Sequence, residues 1–319
     1  MAYAVPNSFA ESAGVARRFF ALAFFVRTFE LHLALATLAP LTLLLLLRRW
    51  WIAAVTATLP VWALAPIAFS CVSPAPLPVD RPLRVMTGNL LVGHAQVDPL
   101  LEQISQFAPD VIFFQEYSPA KAERLVPALA SQYPHRVEAI RDHAFGQAIY
   151  SKIPFDSEPE LYPHASIREQ GALQGRAGTE VGIWDAQIRA VIRFDGAEIV
   201  LQNVHYAPPI HSSYLKEQRV MTKWLCDWLA RESRPVIIAG DFNCTPTSAN
   251  LSDLHRAGLT SSRRVARGWA GTWPASGLPS LAPVAIDHVL LRGLRCEFWS
   301  PGQNILSDHL PVLAIVGRE

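Results

Sequence analysis

The chain has 319 residues, enough for one large domain or two ordinary ones. Its formal net charge of +1 excludes a strongly basic nucleic-acid binder by bulk electrostatics, though not a locally basic groove. A hydrophobic fraction of 50% and a mean hydropathy of +0.18 are high for a soluble protein, and the excess lies near the N-terminus.

In chain order, residues 1–30 form an N-terminal segment. Within it Phe19–Val26 is apolar but too short to span a bilayer, and Arg27 and Glu30 interrupt it. From Leu31 to Leu47 the only polar residues are His32, Thr37 and Thr42. Arg48-Arg49-Trp50-Trp51 follow, then a second uncharged run from Ile52 to Ser70. Each run has about the 17–25 residues that cross a hydrocarbon core, and paired Arg and Trp suit an interfacial turn. Residues 31–72 are therefore expected to form a transmembrane helical hairpin. Buried core helices would each show a polar face, and a signal peptide would start earlier and be shorter. Both flanks of the hairpin then lie on one side of the membrane. Charge does not settle which: Arg48 and Arg49 favour a cytoplasmic turn, whereas Arg17, Arg18, Arg27, Arg81 and Arg84 favour the reverse.

Residues 73–82 read as a linker, because Pro74, Pro76 and Pro78 alternate and favour an extended spacer. The remainder, 83–319, is one catalytic-sized domain. Leu83–Thr87 alternates as a half-buried strand ending at Gly88-Asn89. Asp98-Pro99 opens a helix through Phe107, with Asp98 as the expected N-cap. Asp110–Phe114 is a second strand, ending at Gln115-Glu116. Ser118-Pro119 starts another helix, and Gln147–Tyr150 is a short strand. Gly182–Phe194 and Glu198–Asn203 read as a hairpin turning at Asp195-Gly196, the latter strand ending at Val204-His205. Ser213–Arg231 is a helix with Met221, Trp224, Leu225 and Trp228 on one face. Val236–Ala239 is a buried strand that delivers Asp241 and Asn243, which would share one side while Phe242 faces the other. Val284–Ile286 leads to Asp287-His288, and Ser307-Asp308-His309 precedes the strand Leu310–Val316. The four cysteines (Cys71, Cys226, Cys244, Cys296) show no zinc-type spacing, and nothing requires a disulfide. Arg263, Arg264 and Arg267, with Trp269 and Trp273, read as a solvated loop. Arg141 and His143 are open between phosphate contact and surface placement.

Asn89, Glu116, His205, Asp241, Asn243, Asp287, Asp308 and His309 all sit at strand ends or starts, where α/β sheets place chemistry. Each alone is ordinary; their recurrence is not.

Those residues resemble the endonuclease/exonuclease/phosphatase (DNase I-like) superfamily from about Leu83 to Val316. The matching segments occur in the family's order: Gly88-Asn89-Leu90, Pro109–Ile112 with Gln115-Glu116, Gly146–Lys152, Asn203-Val204-His205, Gly240–Asn243, Ile286–Val289 and Ser307-Asp308-His309. The overall plan is similar to membrane-anchored bacterial members. The mid-chain tyrosine of some nuclease members has no matching motif around Tyr150 or Tyr206. The resemblance implies a four-layered α/β sandwich, two packed sheets flanked by helices, preceded by the hairpin. It implies a divalent-metal-dependent phosphohydrolase using Mg²⁺ or Mn²⁺, with Glu116, Asn89 and Asp308 as metal ligands. Asp241 would orient and deprotonate the attacking water. His309, supported by Asp287, would act as base or as donor to the phosphoryl group. His205 and Asn243 would donate to phosphate oxygens. A phosphate substrate that is lipid-linked is favoured over nucleic acid, since the hairpin acts as a tether at the bilayer. The membrane-anchored members imply a multi-pass protein of the cell membrane with its catalytic domain outside.

Overall fold

The computed structural model describes residues 15–72, 76, 78–162, 187–210 and 212–318. Part of the expected linker (73–75 and 77) and the first part of the strand expected from Gly182 lie outside the described residues. The helices are α1 (Val15–Thr28), α2 (Glu30–Ala36), α3 (Leu38–Leu46), α4 (Trp50–Val72), α5 (Asp98–Phe107), α6 (Pro119–Leu129), α7 (Ser212–Leu229) and α8 (Ala249–Arg256). The strands are β1 (Leu83–Asn89), β2 (Val111–Gln115), β3 (His135–Ala139), β4 (Gln147–Ser151), β5 (Glu160–Tyr162) and β6 (Gln187–Phe194). They continue with β7 (Ala197–His205), β8 (Val236–Asp241), β9 (Thr260–Ser261), β10 (Asp287–Arg292), β11 (Leu294–Pro301) and β12 (Val312–Arg318). Asp98 proves to be inside its helix, with Val97 at the cap position.

Two mixed sheets form, in the orders β11-β12-β1-β2-β4-β3 and β5-β6-β7-β8-β10-β9. Only β1–β2 and β7–β8 are parallel pairs among those described, and each is joined by a crossover helix, α5 or α7. Strand period decides the layers. Leu83, Val85, Val111 and Phe113 face Ile188, Leu201, Ile237 and Ala239 across the gap between the sheets. The intervening Met86, Ile112 and Phe114 lie under α5 and α6, and Val200, Val236 and Ile238 lie under α7 and α8. The layers run helix, sheet, sheet, helix, as the family resemblance implies. Each fully buried aliphatic or Phe side chain contributes about 1.5–3 kcal/mol of transfer free energy.

The β6–β7 hairpin turns at Asp195-Gly196 with φ of 48° and 74°, the paired positive values of a two-residue hairpin turn. In β8, Gly240 has φ 148°, and a Cβ there would stand 1.9 Å from the Val204 carbonyl oxygen. Only glycine lets β8 approach β7 at the level where their functional residues begin.

The N-terminal region departs from the expected pair of straight spans. The run Leu31–Leu47 breaks at Thr37, whose hydroxyl donates to the Ala34 carbonyl at 2.6 Å, leaving two short helices. Pro40 supplies the cause: it has no N–H for the Ala36 carbonyl, and its ring crowds that carbonyl one turn upstream. Among the described residues no single helix is long and apolar enough to cross a membrane. Arg18–Thr28 and Glu30–Leu46 pass that test only together, bent by 68°. The reversal at Arg48 does occur, with φ 55°, and α4 packs back on α2 and α3. Nor is α1 a loose flank: Phe20 and Phe24 are buried in the core under α7.

Candidate active site

The rows that face the gap between the sheets change from apolar to polar towards the C-terminal ends of the parallel strands. Along β1 the row reads Leu83, Val85, Thr87, Asn89; along β7, Ile199, Leu201, Asn203, His205; along β8, Ile237, Ala239, Asp241. The first polar level is a buried hydrogen-bonded tie between the sheets. Gln115 Nε2 donates to Asn203 Oδ1 at 2.7 Å, and Thr87 Oγ1 donates to Gln115 Oε1 at 3.2 Å. Asn203 Nδ2 donates onward to the Phe114 and Ala148 carbonyls at 2.9 and 3.0 Å. Beside it Gln147 Nε2 donates to Gln187 Oε1, which also accepts from the His205 backbone N–H, both at 3.0 Å. Hydrogen bonds buried between the sheets in this way rigidify what stands on them. These tying residues were not singled out from sequence; the signal was the polar turn of the period-two rows.

The next level is the site. Asp241 Oδ2 accepts from Asn89 Nδ2 at 3.1 Å and from Asn243 Nδ2 at 3.2 Å. The Nε2 atoms of His205 and His309 lie 3.5 and 3.7 Å from the same oxygen. Asp241 and Asn243 do share one side, and Phe242 is buried in the core behind them. The cause is not extended backbone: Asp241 Oδ1 accepts from the Asn243 backbone N–H at 2.8 Å, and Asn243 has φ 46°. That is an Asx turn. Asn243 Nδ2 is further fixed on the Tyr206 carbonyl at 2.9 Å.

Asp287, the first residue of β10, pairs with Asp241 in register and meets His309 Nδ1 at 2.9 Å through Oδ2. Burial opposes a charge on His309, but the Asp287 and Asp241 carboxylates outweigh it and push its pKa up to about 10. Burial also opposes ionisation of Asp241, yet His309 and His205 hold it below the usual carboxylate range. Asp287 is raised, burial prevailing over the pull of His309. His205 is raised because its contact with Asp241 overcomes burial.

Glu116 sits just past β2 with φ 54°, a conformation costly for a non-glycine residue. Its Oε1 accepts from Asn89 Nδ2 at 3.0 Å and its Oε2 from the Val92 backbone N–H at 2.7 Å. Asn89 therefore turns its NH₂ to Glu116 and Asp241, while its oxygen accepts from the Leu91 N–H at 3.0 Å. Asp308 lines the same cleft as Glu116 and accepts from Trp273 Nε1 at 3.2 Å. Trp273 belongs to the loop expected to be solvated; it lines the cleft instead, and Arg263 of that loop donates to the Ala270 carbonyl at 2.8 Å. Arg141 and His143 are not among the residues lining the cleft, but their neighbour Phe145 is, its ring 5.1 Å from that of His205. Tyr150 and Tyr206 are buried core residues, and His288 is held on the Cys244 carbonyl with its pKa pushed by burial to about 4.

A model of the endonuclease/exonuclease/phosphatase family matches residues 86–309, a span from β1 to His309 that includes all eight candidate residues. The chain belongs to that family. No curated protein matches its sequence significantly. Among solved structures it is similar to a humanized TDP2 of D. rerio, at 18% identity and TM-score 0.57 over 74% of this chain and 99% of that one. It is also similar to a mannosyl-6-phosphatase of Bacteroides thetaiotaomicron, at 16% identity and TM-score 0.56 over 74% and 99%. A third is an endonuclease/exonuclease/phosphatase from Beutenbergia cavernae, at 18% identity and TM-score 0.54 over 75% and 72%. Likeness at these identities shows the fold.

Divalent metals are typical of the endonuclease/exonuclease/phosphatase family, and the donors here fit one. Asp241, Asp287 and His309 each place a ligand atom within 4.8 Å of the others, but His309 Nδ1 is closed on Asp287 at 2.9 Å, and Glu116 and Asp308 are further carboxylates in the cleft. Asp287 Oδ1 and Asp308 Oδ1 are buried without a hydrogen-bond partner among the described residues. Four carboxylates face two imidazoles, an excess of negative charge that a hard cation balances, and oxygen donors favour Mg²⁺ or Mn²⁺ over zinc.

Proposed function

We propose that the chain is a divalent-metal-dependent phosphoester hydrolase that acts at a lipid surface by a single in-line displacement with water. The observation that carries this reading is the Asp241 carboxylate, buried, ionised and faced by two imidazoles and two amides in one cleft. Of the expected ligands, Glu116 and Asp308 are the groups that would hold Mg²⁺ or Mn²⁺. Asn89, expected as a third, serves in this arrangement to position Glu116 and Asp241. The bound cation supplies charge neutralisation at the phosphoryl oxygens and lowers the pKa of water.

The chain's own residues do the rest. Asp241 aligns the attacking water and takes its proton as the oxygen–phosphorus bond forms and the ester oxygen leaves. His309, cationic at neutral pH, donates to the phosphoryl group rather than acting as base; Asp287 fixes its Nδ1 and keeps it charged. His205 and Asn243 donate to the remaining phosphate oxygens as charge shifts onto them.

A lipid-linked substrate is supported by the apolar helices α2–α4, which we read as an anchor in the cell membrane. Their exposed side chains, Trp51 at 88% and Val55 at 72%, have no cover among the described residues. The outward placement of the catalytic domain rests on the similarity to membrane-anchored bacterial members.

The test is hydrolysis of bis(p-nitrophenyl) phosphate by the full-length protein with Mg²⁺, followed by a panel of lipid phosphates, phospholipids and DNA. Turnover abolished by EDTA and highest on a lipid phosphate is expected. Turnover indifferent to EDTA would end the metal-centred reading, and preference for DNA would end the lipid one.

A further inference from the structure

We propose that the corner between α1 and α2 is the specificity-determining wall of the catalytic cleft. Through Phe25 and Phe29 it receives an apolar chain attached to the scissile phosphate. This rests on the hydrolase reading and goes beyond it, since there the N-terminal helices serve only as an anchor.

The cleft has a volume of about 450 Å³, within the usual range for a small-molecule site. Its lining is of two kinds. Glu116, Asp241, Asp308 and His309 are polar. Phe25 and Phe29 of the N-terminal helices, with Phe145, Pro209 and Ile210 of the catalytic loops, are apolar. The Phe145 ring stands 5.1 Å from that of His205, so apolar wall begins directly beside the catalytic group. The substituent of a phosphate seated at the polar residues therefore meets the apolar ones.

The wall is not carried on a loose tether. Phe20 and Phe24, on the same helix as Phe25, are buried in the core under α7. Thr247 Oγ1 donates to the Arg27 carbonyl at 2.8 Å. His32 Nε2 meets the Ala282 carbonyl at 2.6 Å, and its ring stands edge-on to Trp269 at 5.8 Å. These contacts bracket Phe25 and Phe29 on both sides in sequence, so the two rings are held against the cleft by the catalytic domain itself.

The chemistry of the wall selects the occupant. No lysine or arginine is among the described residues that line the cleft, so beyond the imidazolium of the reaction centre a polyanionic nucleic-acid backbone finds no extended row of counter-charge there. Phe25 remains 42% exposed and Ile210 70%, apolar surface that a saturated chain would remove from water. An alkyl or polyprenyl phosphoester satisfies both kinds of lining at once.

The experiment measures binding of ethyl-, butyl- and octylphosphonate, with Mg²⁺, to the full-length protein in lipid nanodiscs. Wild type is compared with Phe25→Ala, Phe29→Ala and Leu22→Ala, so that partition into the disc cancels in the difference. Leu22 is on α1 but outside the cleft and 61% exposed. Wild type should bind about fourfold more tightly for each methylene that reaches the wall. Phe29→Ala and Phe25→Ala should each lose about tenfold on octylphosphonate and far less on ethylphosphonate. Leu22→Ala should follow wild type, and Phe29→Met, which keeps an apolar side chain, should restore most of the chain-length dependence.

A flat series in wild type, or the same slope in both Phe variants, overturns the proposal. Hydrolysis of bis(p-nitrophenyl) phosphate, followed in parallel, reads the reaction separately. Its absence alongside a steep binding series would remove the hydrolase reading and leave the wall; its presence alongside a flat series would do the opposite.

Discussion

Apolar residues in the sandwich and in the N-terminal helices meet different fates. In β1, β2, β7 and β8 every Val, Ile, Leu, Met and Phe is buried. In α3 no residue is buried, and Leu46 is 76% exposed. Hydropathy says that a side chain avoids water but not what takes water's place. In the strands it is the facing sheet; in α3 nothing among the described residues takes that role. A second difference follows. Only in the sandwich does the alternation of side chains carry positional information, because a period of two fixes which residues meet.

The sharpest way to break the comparison is to remove charge where the sandwich turns from apolar to polar. Asp241→Asn should lower turnover about 10²–10⁴-fold. Its thermal midpoint should fall little, because the substitution also ends the cost of burying a carboxylate. Near-normal hydrolysis of bis(p-nitrophenyl) phosphate would take Asp241 out of the mechanism.

Next in size is the contrast in burial itself. Phe113 has no exposed surface, so Phe113→Ala should cost about 3–5 kcal/mol in denaturant unfolding. Leu46→Ser, in α3, should stay within about 0.5 kcal/mol while weakening association with lipid vesicles. Equal losses of stability would mean that α3 is covered by protein after all.

Metal binding ranks third. With Mg²⁺ at about a hundredfold its dissociation constant, the wild-type protein should gain about 2.7 kcal/mol of stability, read as a raised midpoint. Glu116→Gln should lose much of that gain and of the activity, since a neutral amide is a poorer ligand for a hard cation. An identical midpoint shift in the variant would exclude Glu116 as a ligand.

What the sequence made legible follows the same division. The strands that carry Asn89, Glu116, His205 and Asp241 announced themselves, because β-branched runs stopped abruptly at polar residues. The Asp195-Gly196 turn was equally plain, its residues being those that tolerate positive φ. Contacts that depend on tertiary placement were not legible. The Gln115–Asn203 tie and the Trp273–Asp308 hydrogen bond join positions whose meeting no local pattern records. The break at Thr37 had a local mark in Pro40, but hydropathy sums along a run and does not register a missing backbone donor.

The smallest expected effect sharpens the comparison through acid. Glu232, between α7 and β8, lies in a fork with Arg234: Oε2 accepts from Nη2 at 2.7 Å and Oε1 from Nε at 2.9 Å. The Arg234 side chain chiefly, against the opposing effect of burial, brings the Glu232 pKa down to about 2. In an unfolded chain the group titrates at about 4.3. The folded form thus gains stability that is full above that value and is lost as pH falls from about 5 to 2. Arg234 is partly solvent-exposed, so the gain is held to at most about 2 kcal/mol. Glu232→Gln should flatten the stability profile over that window and leave it parallel to wild type at neutral pH. The helices offer the control, since Glu30 is the only acidic residue between 15 and 72. On acidification in nanodiscs the β-sheet signal in circular dichroism should decay before the helical signal of α2–α4. If both decay together, the helices take their stability from the sandwich rather than from the lipid around them.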